Sequence, residues 1–270
     1  MELDLGSVGR PVRQLNKTLK GLAGGPSAQE VHDLRTRSRR VEAIAGMVTG
    51  GSERSRHNLR KTLKPLRKAA GAVRDMDVLA SKARMLGVRD GSVELLLAHL
   101  LGRRVESARI LIDAVEKRRK DVRVGLNKFS HEIEKHVERG RAKVGGRKAH
   151  TKTATKLMDE LSGWPAFDAE NLHAFRIKVK KLRYVLQLTG AAEARFLAAL
   201  DKVKARIGDW HDWQELRAIA GEVLGDAKRR KALEEIEQME AKKLKLALAA
   251  ARAVKTKFLG PHRGGVLGEV

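Results

Sequence analysis

Two stretches of the chain carry a histidine followed by cations at matching steps. In "VHDLRTRSRR" (31–40), His32 leads Arg35, Arg37, Arg39 and Arg40. In "LHAFRIKVKKLR" (172–183), His173 leads Arg176, Lys178, Lys180 and Lys181, and Arg183 follows. On a helix with 3.6 residues per turn, His32, Arg35 and Arg39 fall within about 60° of one another. His173, Arg176 and Lys180 take the same angles, and Arg40 and Lys181 flank the two stripes. Leu34, Val41, Ala45 and Val48 lie opposite the first stripe, and Phe175, Leu182 and Leu186 opposite the second. Cations in this pattern bind anions. Arginine grips phosphate with paired hydrogen bonds, lysine acts as a mobile point charge, and a histidine near phosphate is drawn toward its protonated form.

A further cationic set follows the first stripe. Arg56, Arg60, Lys64 and Arg67 recur at steps of three and four, beside Leu59, Leu63, Leu66 and Ala70. Like charges at these steps repel by a few tenths of a kcal/mol per pair, at roughly 0.2–0.5. A merely solvated helix would gain by interleaving glutamate, and this stripe has none. An anion bridging the cations removes the repulsion. Side chains three or four apart are separated by roughly 4.5–6 Å along the axis, so a linear chain of phosphates can meet successive cations.

The plainer readings weigh against this. A single basic stripe is usually just a solvated face, but two copies in register, each led by a histidine, make that a poor account. His32 and His173 stand as phosphate contacts, as supports for the arginines, or as core histidines bonded to a carbonyl. His211, beside Trp210 and near Trp213, reads as structural, and His131 and His136 are five apart and share no face. Asp75 and Asp212 do not suit an anion and read as residues that cap a helix or orient a cation. Asp75 with Asp77 likewise reads as capping. No histidine–carboxylate cluster of ligand spacing stands out, so no metal site and no cofactor are expected.

The whole composition points the same way. The 270 residues hold 57 Lys plus Arg against 33 Asp plus Glu, a formal net charge of +24. Such an excess repels itself in a compact chain and is easiest to understand beside a polyanion. Nucleic acid, anionic membrane, inositol phosphates and polyphosphate all qualify. Cysteine is absent, which excludes disulfides, thiolate nucleophiles and cysteine-ligated metals. The start, "MELDLGSVGRPVRQ", has no apolar signal core, and the longest apolar run, "VELLLAHLLG", is far below the ~20 residues of a spanning helix. A cytoplasmic protein without membrane insertion is expected. Five Phe, three Trp and one Tyr make a poor stacking platform for single-stranded nucleic acid.

The elements that must position these residues are helices. Apolar spacing is helical nearly throughout, and β-branched alternation is missing. Breaks are expected at "GLAGGPS" (21–27), "TGGS" (49–52), "RDGS" (89–92), "RGRAKVGGRK" (139–148), "SGWPAFD" (162–168) and "TGAAE" (189–193). The expected helices are 8–21, 28–48, 53–71, 74–86, 92–138, 149–162, 169–188, 193–208, 210–224 and 227–258, with a bend or break in the long one near Gly125. Ser27 and Glu30 have capping-box spacing ahead of His32, and Asp168 is the N-cap candidate ahead of His173. The duplication continues: "LRKAAGAVRDMDVL" (66–79) lies over "VKARIGDWHDWQEL" (203–216), matching Gly71 with Gly208, Asp75 with Asp212 and Leu79 with Leu216. A repeat at domain length means two similar units.

These residues resemble the conserved histidine α-helical domain, CHAD. The first half is His-x-x-Arg-x-x-x-Arg-Arg followed by "LRKAAGAVRDMDVL", and the second is "HAFRIKVKKLRY" with "IGDWHDWQEL". The resemblance spans roughly residues 5–258. It implies an all-α fold of two four-helix bundles with internal pseudo-twofold symmetry and long helices, expected over 1–143 and 144–258, while the glycine-rich end, 259–270, is expected to be a flexible tail. It also implies a basic cavity or pore between the bundles that binds inorganic polyphosphate, and some members go to polyphosphate granules. Carried over residue by residue, the site is His32, Arg35, Arg39, Arg40, Arg67 and Arg74 in the first half and His173, Arg176, Lys180, Lys181, Arg183 and Lys204 in the second. Arg56, Arg60 and Lys64 join from the basic stripe. His211 stands in place of Arg74, and Asp201 in place of Lys64, so the first half is expected to contribute more charge. Neither the Glu-x-Glu-x-Lys of the triphosphate-tunnel enzymes often fused to CHAD domains nor a Walker-type loop is present.

The expectation is a non-enzymatic polyphosphate-binding module, cytoplasmic or on polyphosphate granules. A helical nucleic-acid-binding protein is the main alternative, with nucleic acid otherwise only a non-specific competitor. A polyphosphate-processing enzyme is a second, which would need metal-holding carboxylates near the cations. A third has "AKKLKLALAAARAVKTKF" lying on an anionic membrane, although that segment reads more simply as a packed helix.

Overall fold

In the computed structural model, residues 5–22, 24–49, 52–138, 143–144, 147–189, 193–225 and 230–260 are described. Among them are eight helices: α1 (Leu5–Gly21), α2 (Ala28–Met47), α3 (Glu53–Ala83), α4 (Ser92–Glu138), α5 (Arg147–Ser162), α6 (Leu172–Thr189), α7 (Ala194–Val223) and α8 (Arg230–Phe258). The fold is all-α, as expected, apart from one short antiparallel pairing that the sequence did not announce. In it β1 (Val48–Thr49) meets β2 (Lys143–Val144), with Val48 opposite Val144. Val48 therefore leaves the apolar stripe of α2 to which its spacing assigned it. The expected tail lies, from residue 261 on, outside the described residues. So do the expected start of the last helix at 227 and parts of the linkers 49–52, 139–148 and 189–193.

The chain forms two compact units: residues 1–81 with 97–145, and residues 82–96 with 146–270. The first has one hydrophobic core. It takes Val12, Leu15 and Leu19 from α1, Val31, Leu34, Val41 and Ala45 from α2, Leu59, Leu63, Leu66, Ala70 and Val73 from α3, and Leu111, Val115, Val122, Leu126 and Phe129 from α4. These recur at steps of three, four and seven residues, so each helix buries a single stripe. The second unit has its own core, from Leu157 and Leu161 of α5, Phe175, Val179, Leu182 and Leu186 of α6, Phe196, Leu200, Val203 and Ile207 of α7, and Ala247 and Ala251 of α8. Phe175 is its anchor, meeting Trp164 and Phe167 edge-on at centroid distances of 5.3 and 4.8 Å.

Three expected interruptions are absent. α3 runs unbroken through Gly71, and α7 through Gly208, where helix ends were expected at 71 and 208. α4 continues through Gly125 for 47 residues, roughly 70 Å at 1.5 Å per residue. A mid-helix glycine costs about 1 kcal/mol relative to alanine. Burying even one leucine or phenylalanine on the same helix returns about 1.5–3 kcal/mol, so packing overrides the local preference.

The caps set the phase of the two histidine-bearing helices. Ser27 and Glu30 form the expected capping box. The Glu30 amide donates to Ser27 Oγ at 3.2 Å, and the Ser27 amide donates to Glu30 Oε2 at 2.8 Å. Asp168 Oδ1 accepts from the amides of Glu170 and Asn171, both at 2.9 Å. It caps a lead-in turn, and α6 itself begins at Leu172 rather than at 169.

Candidate functional site

Burial of Val31, Leu34, Val41 and Ala45 turns the opposite face of α2 outward. That face carries His32 and Arg40, both exposed, and Arg35 and Arg39, both half-buried. On α3, Arg60 and Lys64 are exposed, and Arg56, Arg67 and Arg74 are half-buried. Burial lowers the pKa of Arg35, and Arg39, Arg74 and Arg67 lower it further by repulsion, while the charge of Asp75 opposes them. Arg35 still carries its charge at neutral pH. Four arginines thus converge with Asp75 among them, unfavourably for the isolated fold and favourably for an incoming anion.

The seat of Arg35 is Gly71. A Cβ built on Gly71 would stand 2.5 Å from Arg35 Nη1, so the guanidinium would have to shift to admit a side chain there. The second unit repeats the arrangement. A Cβ on Gly208 would stand 2.7 Å from Arg176 Nη2 and 3.3 Å from its Cζ, and Arg176 Nε donates to the Lys204 carbonyl at 3.2 Å. In each unit a helical glycine lets the guanidinium of the motif arginine approach the next helix closely.

Around Arg176, His173 and Lys181 are exposed, and Lys180, Arg183 and Lys204 are half-buried. The His173 ring lies 5.2 Å from that of His211. Partial burial, then the charges of His211, Arg176 and Lys180, hold His173 below the ordinary histidine pKa. Asp201 occupies the spot between cations, 2.7 Å from Arg183 Nε and 2.6 Å from Lys204 Nζ. Its pKa is nevertheless depressed: burial opposes ionisation, but the hydrogen bonds and charges of Lys204 and Arg183 outweigh it.

The residues named from the sequence thus sort into groups. Arg35, Arg39, Arg67 and Arg74 come together in the first unit, and His173, Arg176 and Lys180 in the second. Arg67 is tied to Glu42 of α2 at 2.9 Å, an acid the spacing argument passed over. Arg183 and Lys204 share Asp201. His32 and His173 are exposed, which removes the core-histidine reading, and His32 Nε2 lies 3.4 Å from Thr36 Oγ1. Asp75 and Asp212 lie inside continuous helices, so neither caps one. Asp75 stands 3.7 Å from Arg74, in keeping with orienting a cation.

One aligned pair has a different duty. Arg37 donates to the Gln14 carbonyl at 3.3 Å and to Thr18 Oγ1 on α1, and pairs with Asp33 at 2.7 Å. Its counterpart Lys178 pairs with Glu160 of α5. Both brace the histidine helix against the helix before it. As for metals, His211, Asp212 and Glu215 form one group among the described residues able to hold an ion. The i,i+4 spacing of His211 and Glu215 is the signal that could have found it.

Eight of the nine aromatic side chains are buried or half-buried, and Tyr184 alone is exposed. Among the described residues no helix is long and apolar enough to cross a membrane.

The crystal structure of the CHAD domain from the plant Ricinus communis superposes with a TM-score of 0.62 at 17% identity, covering 95% of this chain and 94% of that one. PptA from Streptomyces chartreusis gives a TM-score of 0.64 at 12% identity, over 94% and 96% of the two chains. These likenesses show a shared fold. A search of curated protein sequences found no match. The profile of the CHAD domain matches residues 8–221, and with the motifs repeated in both units the chain belongs to the CHAD domain family.

Proposed function

We propose that the protein binds inorganic polyphosphate through the cationic faces of its histidine-led helices, as a non-enzymatic module. The observation that carries the reading is the twice-built seat of a motif arginine on a helical glycine, Arg35 on Gly71 and Arg176 on Gly208. A solvated charge needs no such seat. Half-buried arginines with neighbouring cations in common suit a flexible chain of phosphates, each oxygen accepting charge-assisted hydrogen bonds. Each unit draws mainly on four helices, which supports reading the two as duplicated four-helix bundles. His32, Arg40, Arg56, Arg60 and Lys64 extend the face of the first unit, and Lys180, Lys181, Arg183 and Lys204 that of the second.

The scarcity of exposed aromatic rings argues against a base-stacking nucleic-acid reader. Nucleic acid is then a competitor for charge alone. A cytoplasmic protein that associates with polyphosphate granules is the setting this reading implies.

The test is titration of long-chain polyphosphate against the wild type and an Arg35→Ala/Arg39→Ala/Arg176→Ala variant at physiological salt. Each charged hydrogen bond contributes about 1.5–3 kcal/mol, so affinity should fall at least tenfold. Equal affinity of the two proteins overturns the proposal.

A further inference from the structure

Among the aligned positions at which the two units differ, two lie one helical turn apart. Where α3 has Arg74, Asp75 and Val78, α7 has His211, Asp212 and Glu215. The first set offers a cation, an acid and a hydrocarbon. The second offers three groups that donate electron pairs. One atom from each of His211, Asp212 and Glu215 lies within 4.8 Å of the others, and His211 Nδ1 stands 3.6 Å from Glu215 Oε1. Two ligands bound at about 2.1 Å with a tetrahedral angle are about 3.4 Å apart, so this pair already spans close to the edge of a metal's coordination shell. The ring of His173, on α6, lies 5.2 Å from that of His211.

We propose that His211, Asp212 and Glu215 bind a divalent metal ion of the zinc class. Imidazole with carboxylates is a zinc-type donor set, whereas magnesium and calcium prefer oxygen alone. The two carboxylates supply the negative charge that a dication needs in a strongly basic chain. Each carboxylate has about four lone-pair sites, so it can ligate a metal while keeping a protein partner. None of the three ligands is among the residues proposed to hold polyphosphate, and all three lie within one unit.

The test uses the full-length protein without polyphosphate. Zn²⁺ is titrated calorimetrically, and Co²⁺ is followed by its visible absorption, which reports coordination geometry. The expected result is one saturable equivalent whose affinity falls at least tenfold in His211→Ala and in Glu215→Gln, while His131→Ala binds as wild type. Glu215→Gln alters an exposed side chain without changing its size, so the comparison survives even if His211→Ala perturbs folding. Wild-type affinity in Glu215→Gln, or no saturable equivalent in the wild type, overturns the site. Neither result touches the polyphosphate proposal, because polyphosphate is absent throughout.

Discussion

The guanidinium of Arg35 occupies the space that a side chain on Gly71 would need, with Nη1 2.5 Å from the position of a Cβ. This relationship reverses the ordinary expectation for a glycine inside a helix. Gly71→Ala should gain up to about 1 kcal/mol of helix propensity while forcing Arg35 off its seat. Thermal melting should therefore show a melting temperature unchanged or raised, and polyphosphate titration a several-fold loss of affinity. Gly208→Ala should behave alike through Arg176. Wild-type affinity in both variants would show that the seats serve packing only.

Asp201 neutralises Arg183 and Lys204 at 2.7 and 2.6 Å. Asp201→Asn should release both cations and strengthen polyphosphate binding. The dependence of log K on log salt should steepen by about one to two, following counterion release for other polyanions. A salt titration of the two proteins checks this, and weaker binding by the variant would count against the placement of these cations in the site.

His173 should couple binding to pH. In the free protein its pKa is lowered, by burial first and then by His211, Arg176 and Lys180, so it is neutral at pH 7. A bound polyanion favours the imidazolium and raises that pKa. Binding then takes up a proton, and affinity rises as pH falls from 7 into the range around the lowered pKa. Calorimetry in buffers of different ionisation enthalpy should detect the uptake, and His173→Gln should reduce it.

Arg37 should separate stability from binding. Its bonds to Gln14, Thr18 and Asp33 join α2 to α1. The side chain is 30% exposed, so solvent screening discounts the contribution and Arg37→Ala should cost about 1 kcal/mol, below the usual range for charged hydrogen bonds. The folded variant should keep its polyphosphate affinity, the opposite of Arg35→Ala. Chemical denaturation paired with titration distinguishes the two.

The sequence by itself determined which face of each helix is buried, the register of the duplication and the capping box at Ser27 and Glu30. These follow from spacing, because residues three and four apart share a helix face and a cap bonds within its own turn. The family and most of the cationic candidates were legible for the same reason. Tertiary structure decided what spacing cannot see, namely which group lies across from a side chain. Gly71 and Gly208 read as breaks because a glycine is costly locally, yet the helices continue through them and each glycine makes room for an arginine from another helix. Arg37 and Arg35 are equally basic in sequence, but one reaches α1 and the other lies over α3. Asp201 looked like one missing cation, and its position between Arg183 and Lys204 makes it a counter-charge for two. His211 reads as structural in the sequence, and only the fold sets the ring of His173, from α6, 5.2 Å from it.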